Sequence, residues 1–298
     1  MGSFGRVYLG FATASSAMMA VKQVEMPVAV TRAGHATAGS QSKVAAMFEA
    51  LEREITLLRD LRHPNIVRFL GYERVATTLN VFLEYVPGGS VASLLATVRG
   101  PLPTALAADF MRQIVRGVEY LHACSVIHRD LKPANVLLDN DGIVKISDFG
   151  LSKRIPDAVG AHSPGSAGSS PVDPYAAWSQ FSMQGTVYWM APELVRAKGY
   201  SAKVDVWACG CMALEMVTGS RPWMGLDPIA AMYQIGSAHR PKVPDWCDED
   251  AAEFCERCFD IDPDARPTAL DLLQLPFVAH AEPYPDYPGF IASLEEEV

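Results

Sequence analysis

The sequence lacks any apolar run long enough to cross a lipid bilayer. Its most apolar stretch, Val204 to Val217, is interrupted by Asp205 and Glu215 and is shorter than the roughly 20 residues that a spanning helix needs. A helix buried in a protein core is the better interpretation of this stretch. The sequence therefore predicts no membrane span.

The sequence also lacks an excess of positive charge. Its 25 Lys and Arg residues are outnumbered by 34 Asp and Glu residues, which gives a formal net charge of -9 and an isoelectric point near 5.3. This balance argues against nucleic acid or an anionic membrane as the main partner, although a local basic groove can coexist with an acidic surface.

The 6 Cys residues show no disulfide framework. Cys209 and Cys211 lie in the apolar run, and Cys255 and Cys258 lie in a predicted amphipathic helix. Such spacing is compatible with half of a metal site, but no second pair or histidine partner stands at zinc-like spacing, so buried thiols are favoured. Free thiols fit a reducing compartment, and we expect a cytoplasmic protein.

The first part of the chain is predicted to be rich in strands. Four short segments contain many β-forming residues between turn-like or polar ones: Arg6 to Phe11, Ala17 to Glu25, Ile66 to Glu73, and Leu79 to Val86. Apolar residues at three- and four-residue steps predict one helix among these strands: Met47, Leu51, Ile55 and Leu58. The His63-Pro64 pair ends this helix.

The rest of the chain is predicted to be mainly helical. One apolar stripe consists of Phe110, Ile114, Val118 and Leu121, and further helices are expected over Val204 to Val217 and Ala251 to Phe259. The sequence thus predicts an α+β fold with two lobes: a small antiparallel sheet with one long helix over residues 1–86, and a larger helical lobe over residues 87–280. A cleft between such lobes is a natural ligand site.

Three segments do not fit this order. Residues 27–42 and 155–180 are rich in small and polar residues and are interpreted as insertions. Residues 281–298 form an acidic tail that contains Pro and Tyr, and we expect this tail to be poorly ordered.

Glu54 is expected to need a cationic partner. It lies three residues after Leu51 and four before Leu58, which places it on the buried face of the predicted helix. A buried carboxylate without a partner is costly, and Lys22, at the end of an apolar strand, is the best candidate. A surface-exposed glutamate is the alternative.

Two short motifs contain oxygen donors beside short apolar strands. His128-Arg129-Asp130-Leu131-Lys132-Pro133-Ala134-Asn135 precedes Val136-Leu137-Leu138, and Lys145-Ile146-Ser147 leads into Asp148-Phe149-Gly150. Carboxylate and amide oxygens suit Mg²⁺ bound to phosphate. Isolated Asp and Asn residues in loops are more often turn formers, but here their spacing favours a site.

With these motifs the sequence resembles the eukaryotic protein kinase family. The ordered set of kinase motifs is a glycine-rich loop, a strand lysine, a helix glutamate, HRDLxxxN, DFG and APE. It corresponds here to Gly2-Ser3-Phe4-Gly5-Arg6-Val7, Lys22, Glu54, His128 to Asn135, Asp148 to Gly150, and Ala191-Pro192-Glu193. The resemblance extends to about Phe277.

The resemblance implies ATP and Mg²⁺ as cofactors and assigns a role to each motif. Lys22 would hold the α- and β-phosphates and pair with Glu54, while Asn135 and Asp148 would bind the metal ions. Asp130 would orient the substrate hydroxyl and accept its proton. Lys132 would neutralise charge on the transferring phosphoryl group.

The resemblance also implies an adenine pocket and a phosphate-covering loop. Backbone groups of Glu84 and Val86 would bond adenine, Leu83 would line the back of the pocket, and the ring would be sandwiched by Val7, Ala20 and Leu137. Backbone amides of the glycine-rich loop, formed by Gly2, Ser3, Phe4 and Gly5, would cover the phosphates. Ser90 stands where many kinases use an acidic residue for the ribose.

Two structural contacts in the helical lobe are implied as well. Glu193 would pair with Arg266, and Asp205 would bond the backbone around His128 and Arg129. Either charge would be costly in a core without such partners.

Three segments resemble the MAP kinase kinase kinases of the serine/threonine branch: residues 57–67, 82–91 and 183–193. Lys132-Pro133-Ala134-Asn135 differs from the catalytic loop typical of tyrosine kinases, and Gly185-Thr186 follows the serine/threonine pattern. The expected activity is phosphorylation of Ser or Thr in a MAP kinase kinase. A pseudokinase or scaffold is the alternative, and a small-molecule kinase is disfavoured by the Ala191-Pro192-Glu193 motif.

A regulatory role is expected for the segment before this motif. Arg129 and Lys153 would form a cationic pocket for a phosphorylated serine, with Ser182 as the first choice and Ser179 as the second. Thr186 is expected to contact Asp130 and Lys132.

The glycine-rich loop is incomplete, because its first glycine would precede Met1. We expect a natural protein that extends upstream, or a truncated gene product, and a higher KM for ATP than in a longer form.

Overall fold

The computed structural model describes residues 6–13, 16–25, 55–56, 58–75, 78–149, 153–154, 186–197 and 199–296. The chain divides into two compact units, residues 1–87 and residues 88–298. Glu54, the glycine-rich loop at residues 2–5, Ser179 and Ser182 lie outside the described residues, as do both predicted insertions.

The described part of the first unit is built around an antiparallel sheet. Its strands are β1 (Arg6–Ala12), β2 (Ala17–Glu25), β3 (Phe69–Val75) and β4 (Thr78–Glu84), in the order β1-β2-β4-β3. In β4 the buried residues Leu79 and Val81 alternate with less buried ones, as the two-residue period of a strand requires.

One predicted strand begins too early. The sequence indicated a strand from Ile66, but β3 begins at Phe69. The cause is a turn around His63: the Ile66 amide donates to the His63 carbonyl, and the Asn65 amide donates to His63 Nδ1. Before this turn, residues 55–56 and 58–60 are helical, and Ile55 and Leu58 are buried, as the apolar stripe predicted.

The second unit contains mainly helices. They are α1 (Val91–Val98), α2 (Thr104–Ala123), α3 (Pro192–Val195), α4 (Lys203–Thr218), α5 (Pro228–Gly236), α6 (Glu249–Cys258), α7 (Ala269–Leu272), α8 (Pro276–Ala279) and α9 (Tyr287–Glu296). The predicted stripe of α2 is fully buried. Helix α4 is buried along almost its whole length, as its apolar sequence indicated, and ends at Gly219 in the left-handed conformation.

Short strand pairs connect these helices. Strand β5 (Val126–Ile127) pairs with β8 (Lys153–Arg154), and β6 (Val136–Leu138) pairs with β7 (Val144–Ile146). Short 3₁₀ turns cover Pro133–Asn135 and Thr186–Trp189. The predicted fold class, an antiparallel sheet followed by a helical lobe, is confirmed.

Helices α4 and α6 pack closely through small and sulfur-containing residues. Cys255 Sγ lies 3.8 Å from the Gly210 carbonyl, and a side chain at Gly210 would collide with Cys258. The predicted burial of Cys209, Cys211, Cys255 and Cys258 is confirmed. Burial raises the pKa of each of these four thiols.

The expectation of a poorly ordered tail is wrong for the described residues. Helix α9 covers Tyr287–Glu296, and the Tyr287 ring, which is only 3% exposed, packs edge-on against Phe110. The Pro-Tyr-Pro-Asp-Tyr-Pro composition suggested disorder, but burial of an aromatic ring fixes the segment to α2. Among the helices of the described residues, none has the length and apolarity to cross a membrane.

Candidate active site

His128 lies at the start of the candidate site and is fully buried. Its Nε2 lies 3.0 Å from the Ser147 carbonyl, and its Nδ1 accepts from the Asp130 amide at 3.3 Å. Because Nδ1 accepts a hydrogen bond, Nε2 carries the proton and donates to Ser147. A neutral imidazole thus links the loop of Asp130 to the segment that leads into Asp148.

Asp205 anchors this loop from α4. Its carboxylate accepts hydrogen bonds from the backbone amides of His128 (2.9 Å) and Arg129 (2.8 Å), and the His122 Nε2 atom lies 2.9 Å from it. Burial would raise the pKa of Asp205, but the His122 hydrogen bond, the charge of His122 and the Arg129 backbone donor outweigh it, so the pKa lies below its ordinary value. The sequence predicted these backbone contacts, and the structure contains them.

The anchored loop adopts a backbone conformation that is uncommon for side-chain-bearing residues. Arg129 has a φ of 68°, in the left-handed region. Its Nη1 donates to the Tyr200 hydroxyl at 2.7 Å, and its guanidinium carbon lies 5.5 Å from the centre of the Tyr200 ring. The predicted regulatory arginine is therefore held by a tyrosine that the sequence analysis did not identify.

Asp130 lies at the centre of a compact polar cluster. Lys132 Nζ donates to both carboxylate oxygens of Asp130, at 3.0 and 2.9 Å, and to Thr186 Oγ1 at 2.9 Å. Asn135 Nδ2 donates to the Asp130 carbonyl at 2.8 Å and to its Oδ2 at 3.0 Å. The expected contact between Thr186 and Lys132 is therefore present. A carboxylate and an ammonium group at one position can accept a proton and stabilise negative charge.

Asn135 and Asp148 are connected through Ser147. The Ser147 amide and hydroxyl both donate to the Asn135 carbonyl, at 2.8 and 3.0 Å. Asp148 has a φ of 61°, and the buried Phe149 ring lies 5.1 Å from the His128 ring. The Asn135 side chain donates its two hydrogen bonds to Asp130 through the amide nitrogen, so its amide oxygen is the atom suited to a metal. An amide oxygen and a carboxylate form a donor set that fits a hard cation such as Mg²⁺.

The predicted nucleotide residues of the first unit lie on adjacent strands. Lys22 is in register with Val7 on β1 and Val81 on β4, while Ala20 is in register with Leu9 and Leu83. Glu84 ends β4, and its carboxylate accepts from the Arg68 amide at 3.1 Å. Val86 is buried.

Two predicted residues of the second unit have additional structural tasks. The Ser90 hydroxyl caps α1 by accepting from the Ser93 amide at 3.1 Å, and its backbone bridges to Leu137. Lys153 lies in β8, in register with Ile127, and Ile127 precedes Arg129 by two residues in the sequence. Ser90 therefore has a capping function, which a serine directly before the apolar residues of α1 could have indicated.

The predicted Glu193–Arg266 ion pair is present. Arg266 Nη1 donates to Glu193 Oε1 at 2.8 Å, and Nη2 donates to Oε2 at 3.3 Å. Arg266 also donates to the carbonyls of Lys203 (2.7 Å) and Asp260 (3.0 Å). The pair joins α3 to the loop before α7. It is a structural contact that supports the site and takes no part in the chemistry.

A second carboxylate of α4 bonds the segment of Thr186. Glu215 accepts from Trp189 Nε1 at 2.9 Å, and Arg221 lies 3.7 Å above the Tyr188 ring. Burial raises the pKa of Glu215 to about 7, although the Trp189 hydrogen bond and Arg221 oppose this effect. The sequence shows Glu215 as a charged residue in a predicted apolar helix, but no spacing pattern predicts its hydrogen bond with Trp189.

The fold and this site define the class of protein. A family model described as "Protein kinase domain" matches residues 1–278. The chain therefore belongs to the protein kinase family.

Several curated relatives are similar over the kinase domain. The mitogen-activated protein kinase kinase kinase MST11 of Pyricularia oryzae is 43% identical over 93% of this chain and 29% of its own length. The mitogen-activated protein kinase kinase kinase ANP1 of Arabidopsis thaliana is 42% identical over 93% and 38%. The serine/threonine-protein kinase BCK1/SLK1/SSP31 of Saccharomyces cerevisiae is 42% identical over 93% and 17%.

These comparisons confirm two predictions, the resemblance to MAP kinase kinase kinases and the class of enzyme, a serine/threonine protein kinase domain. The chain spans less than two fifths of the length of each of the three relatives.

Proposed function

We propose that this kinase domain transfers the γ-phosphoryl group of Mg-ATP to Ser or Thr of a MAP kinase kinase. The observation that carries the proposal is the Asp130 cluster, in which Lys132 and Asn135 bond the carboxylate within a loop anchored by Asp205. The names of two relatives, mitogen-activated protein kinase kinase kinases, support the substrate class.

In this proposal Asp130 orients the substrate hydroxyl and accepts its proton. Its carboxylate is held by two donors, so the oxygen positions are fixed before substrate binds. Lys132 stabilises charge on the transferring group, and its bond to Thr186 connects the reacting atoms to the segment that precedes the Ala191-Pro192-Glu193 motif.

Asn135 and Asp148 are proposed as the metal-binding residues. Their oxygens are the type that Mg²⁺ prefers, and Mg²⁺, when bound, neutralises phosphate charge. Two hydrogen bonds from Ser147 hold the Asn135 carbonyl, and Ser147 immediately precedes Asp148 in the sequence.

The nucleotide is proposed to contact Lys22 and the residues that the family pattern assigns to adenine. These are Val7, Ala20, Leu83, Glu84, Val86 and Leu137, together with residues 2–5 over the phosphates and Glu54 as the partner of Lys22. Lys22→Met should weaken binding of a fluorescent ATP analogue at least tenfold. Lys242→Met, which removes an exposed lysine, should leave binding unchanged.

Regulation is proposed to involve phosphorylation of Ser182, with Ser179 as the second choice. Arg129 and Lys153 would bind the phosphate, because a phosphoserine carries close to two negative charges and pairs well with cations. If Ser182→Ala keeps full activity after maximal autophosphorylation, Ser182 is not the switch. We also propose a cytoplasmic location, which a fluorescent fusion of the full-length protein would test.

The experiment is a phosphoryl-transfer assay on the chain with a panel of kinase-inactive MAP kinase kinases. Labelled ATP and Mg²⁺ are supplied, and modified residues are mapped by mass spectrometry. We expect Ser or Thr modification in the substrate's activation segment. Asp130→Asn should reduce the rate by roughly 10²- to 10⁴-fold, the usual contribution of a positioned general base.

Asp245→Asn is the matched control, because Asp245 is an exposed aspartate in the loop before α6. It should retain the rate of the unmodified chain. Nucleotide binding without transfer to any protein would favour the pseudokinase alternative. Transfer that is equal in Asp130→Asn would exclude the proposed role of Asp130.

A further inference from the structure

The hairpin of β6 and β7 carries the proposed metal-binding residues at its base. Asn135 immediately precedes β6, and Asp148 follows β7 after Ser147. Only three residue pairs, from Val136–Ile146 to Leu138–Val144, separate this base from the turn at the other end. The turn therefore lies only three residue pairs from the metal-binding residues.

The turn at the tip is built around Asp139 and Gly142. Asp139 Oδ1 accepts from the amides of Asp141 (2.9 Å) and Ile143 (2.7 Å). Gly142 has a φ of 79°, a conformation that favours glycine. Because Gly142 has no side chain, a group that packs on the turn can contact its backbone directly.

Helix α2 contacts the turn at the tip of the hairpin through hydrogen bonds of Gln113. Its Nε2 donates to the Gly142 carbonyl at 3.1 Å, and its Oε1 accepts from the Val144 amide at 2.9 Å. Asp109, one turn earlier, accepts from Gln113 Nε2 at 3.3 Å and from Arg112 at 2.6 Å. Asp109 and Gln113 are both buried, so these contacts are shielded from water.

The C-terminal segment covers the same tip. The Tyr284 amide donates to Asp109 Oδ2 at 2.9 Å. The Tyr287 ring packs on Gly142 so closely that a Cβ there would lie 2.9 Å from Tyr287 Cγ. The same ring meets Phe110 edge-on at 5.8 Å. Burial and the nearby Asp139 raise the pKa of Tyr287 to about 12.

We propose that residues 284–290 act as a strap that positions the β6–β7 hairpin and, through it, Asn135 and Asp148. The metal-binding part of this inference rests on the function proposed above. Residues 284–290 lie beyond the stretch that the family model matches, residues 1–278. Tyr287 is in this view a positioning residue that acts on the metal site through the hairpin.

The test compares Tyr287→Leu and Tyr287→Phe in the full chain. Leucine loses the flat ring that fills the space beside Gly142, whereas phenylalanine keeps it. Tyr233→Leu is the control, because Tyr233 is 72% exposed on α5. Two quantities are measured: amide hydrogen exchange of residues 136–147, and the Mg²⁺ concentration that half-saturates binding of a fluorescent ATP analogue.

Tyr287→Leu should accelerate hairpin exchange and raise the half-saturating Mg²⁺ concentration about tenfold, the lower end of what outer-shell substitutions cost at metal sites. Tyr287→Phe should restore both quantities, and Tyr233→Leu should change neither. Unchanged hairpin exchange in Tyr287→Leu would overturn the proposal. Faster exchange with unchanged Mg²⁺ dependence would also overturn it.

Gly142→Ala tests the same contact from the hairpin side and replaces Tyr287→Leu if that variant does not fold. The added methyl group must displace the Tyr287 ring and also strains a backbone whose φ of 79° favours glycine, so the same two changes are expected and should be at least as large. In the double variant the effects should be less than additive, because both substitutions break one contact. Additive effects would contradict the strap. If the unmodified chain binds no Mg-nucleotide, the proposed function fails, while hydrogen exchange still decides the strap.

Discussion

The guanidinium of Arg266 meets the carboxylate of Glu193 through two hydrogen bonds, at 2.8 and 3.3 Å. Arg266 is 1% exposed and Glu193 is 7% exposed. A buried pair of this kind contributes little net stability over apolar residues, but removal of one partner leaves an uncompensated charge in the core. Because of this asymmetry, removal of one partner should produce a measurable loss of stability in the second unit.

Arg266→Ala should lower the free energy of unfolding by about 3–5 kcal/mol, because it strands Glu193 and leaves two backbone carbonyls without their donor. Urea unfolding followed by tryptophan fluorescence measures this change, since the four Trp residues that the structure describes, Trp189, Trp207, Trp223 and Trp246, lie in the second unit. Arg240→Ala, at an exposed arginine, is the control and should change stability by less than about 0.5 kcal/mol. Equal effects of the two substitutions would contradict the prediction.

Asp205→Asn should destabilise the second unit by roughly 1.5–3 kcal/mol at pH 7, because a charged acceptor of two backbone amides is lost. The pKa of Asp205 is lowered in the folded state, so its contribution is present above the unfolded pKa and is lost as the pH falls below about 4. The stability gap between the unmodified chain and the variant should therefore narrow at acidic pH. A gap that widens on acidification would refute this reasoning, and Asp245→Asn should show no gap.

Glu215→Gln should change how stability depends on pH. Burial raises the pKa of Glu215 to about 7, so the folded state retains a proton that the unfolded state releases near the ordinary pKa of 4.5. Stability is therefore fully present below pH 4.5 and falls as the pH rises towards and through 7. Glutamine keeps an acceptor for Trp189 but has no proton to lose. The free energy of unfolding of Glu215→Gln, relative to that of the unmodified chain, should therefore rise by about 2–3 kcal/mol between roughly pH 5 and 8.

Unfolding of both proteins by urea at several pH values measures this difference. Glu253→Gln, at an exposed glutamate of α6, serves as the control and should follow the unmodified chain. Parallel curves for the unmodified chain and Glu215→Gln would mean that Glu215 is ionised throughout this range.

Gly210→Ala should destabilise the packing of α4 on α6 by about 1–3 kcal/mol, because the new methyl group would overlap Cys258 and lie 2.9 Å from Phe259 Cε1. Gly236→Ala is the matched control. A Cβ at Gly236 meets only Val195 Cγ1 at 3.5 Å, an ordinary contact, so this variant should be neutral or slightly more stable. Chemical unfolding of both variants decides the prediction, which fails if the two behave alike.

The sequence predicted the parts of the molecule that depend on strong local patterns. Strand β2 has the predicted bounds, and the contacts of Asp205 and of Glu193 with Arg266 are those that the resemblance to protein kinases implied. The partners of buried polar groups were harder to predict. Nothing in the spacing of Tyr200 or Trp189 indicates that these residues bond Arg129 and Glu215, because such pairs are set by the packing of distant segments.

The ordered tail was missed for a related reason. Pro-Tyr-Pro-Asp-Tyr-Pro has the composition of a disordered segment, and its order depends on a receptor formed by Asp109, Phe110 and Gly142. Composition describes a segment alone and cannot represent a complementary surface that is 140 or more residues away in sequence. The start of β3 was missed because the turn at His63 depends on a side-chain hydrogen bond.

The placement of the thiols gives the protein a built-in chemical reporter. Cys124 and Cys247 are partly exposed, whereas the thiols along α4 and α6 are buried and hold their protons tightly. An alkylating reagent should therefore modify Cys124 and Cys247 first and reach the other four thiols only when the helices separate. The rate at which molecules with two adducts gain more therefore measures how often this region opens, in a mixture that also contains substrate and nucleotide.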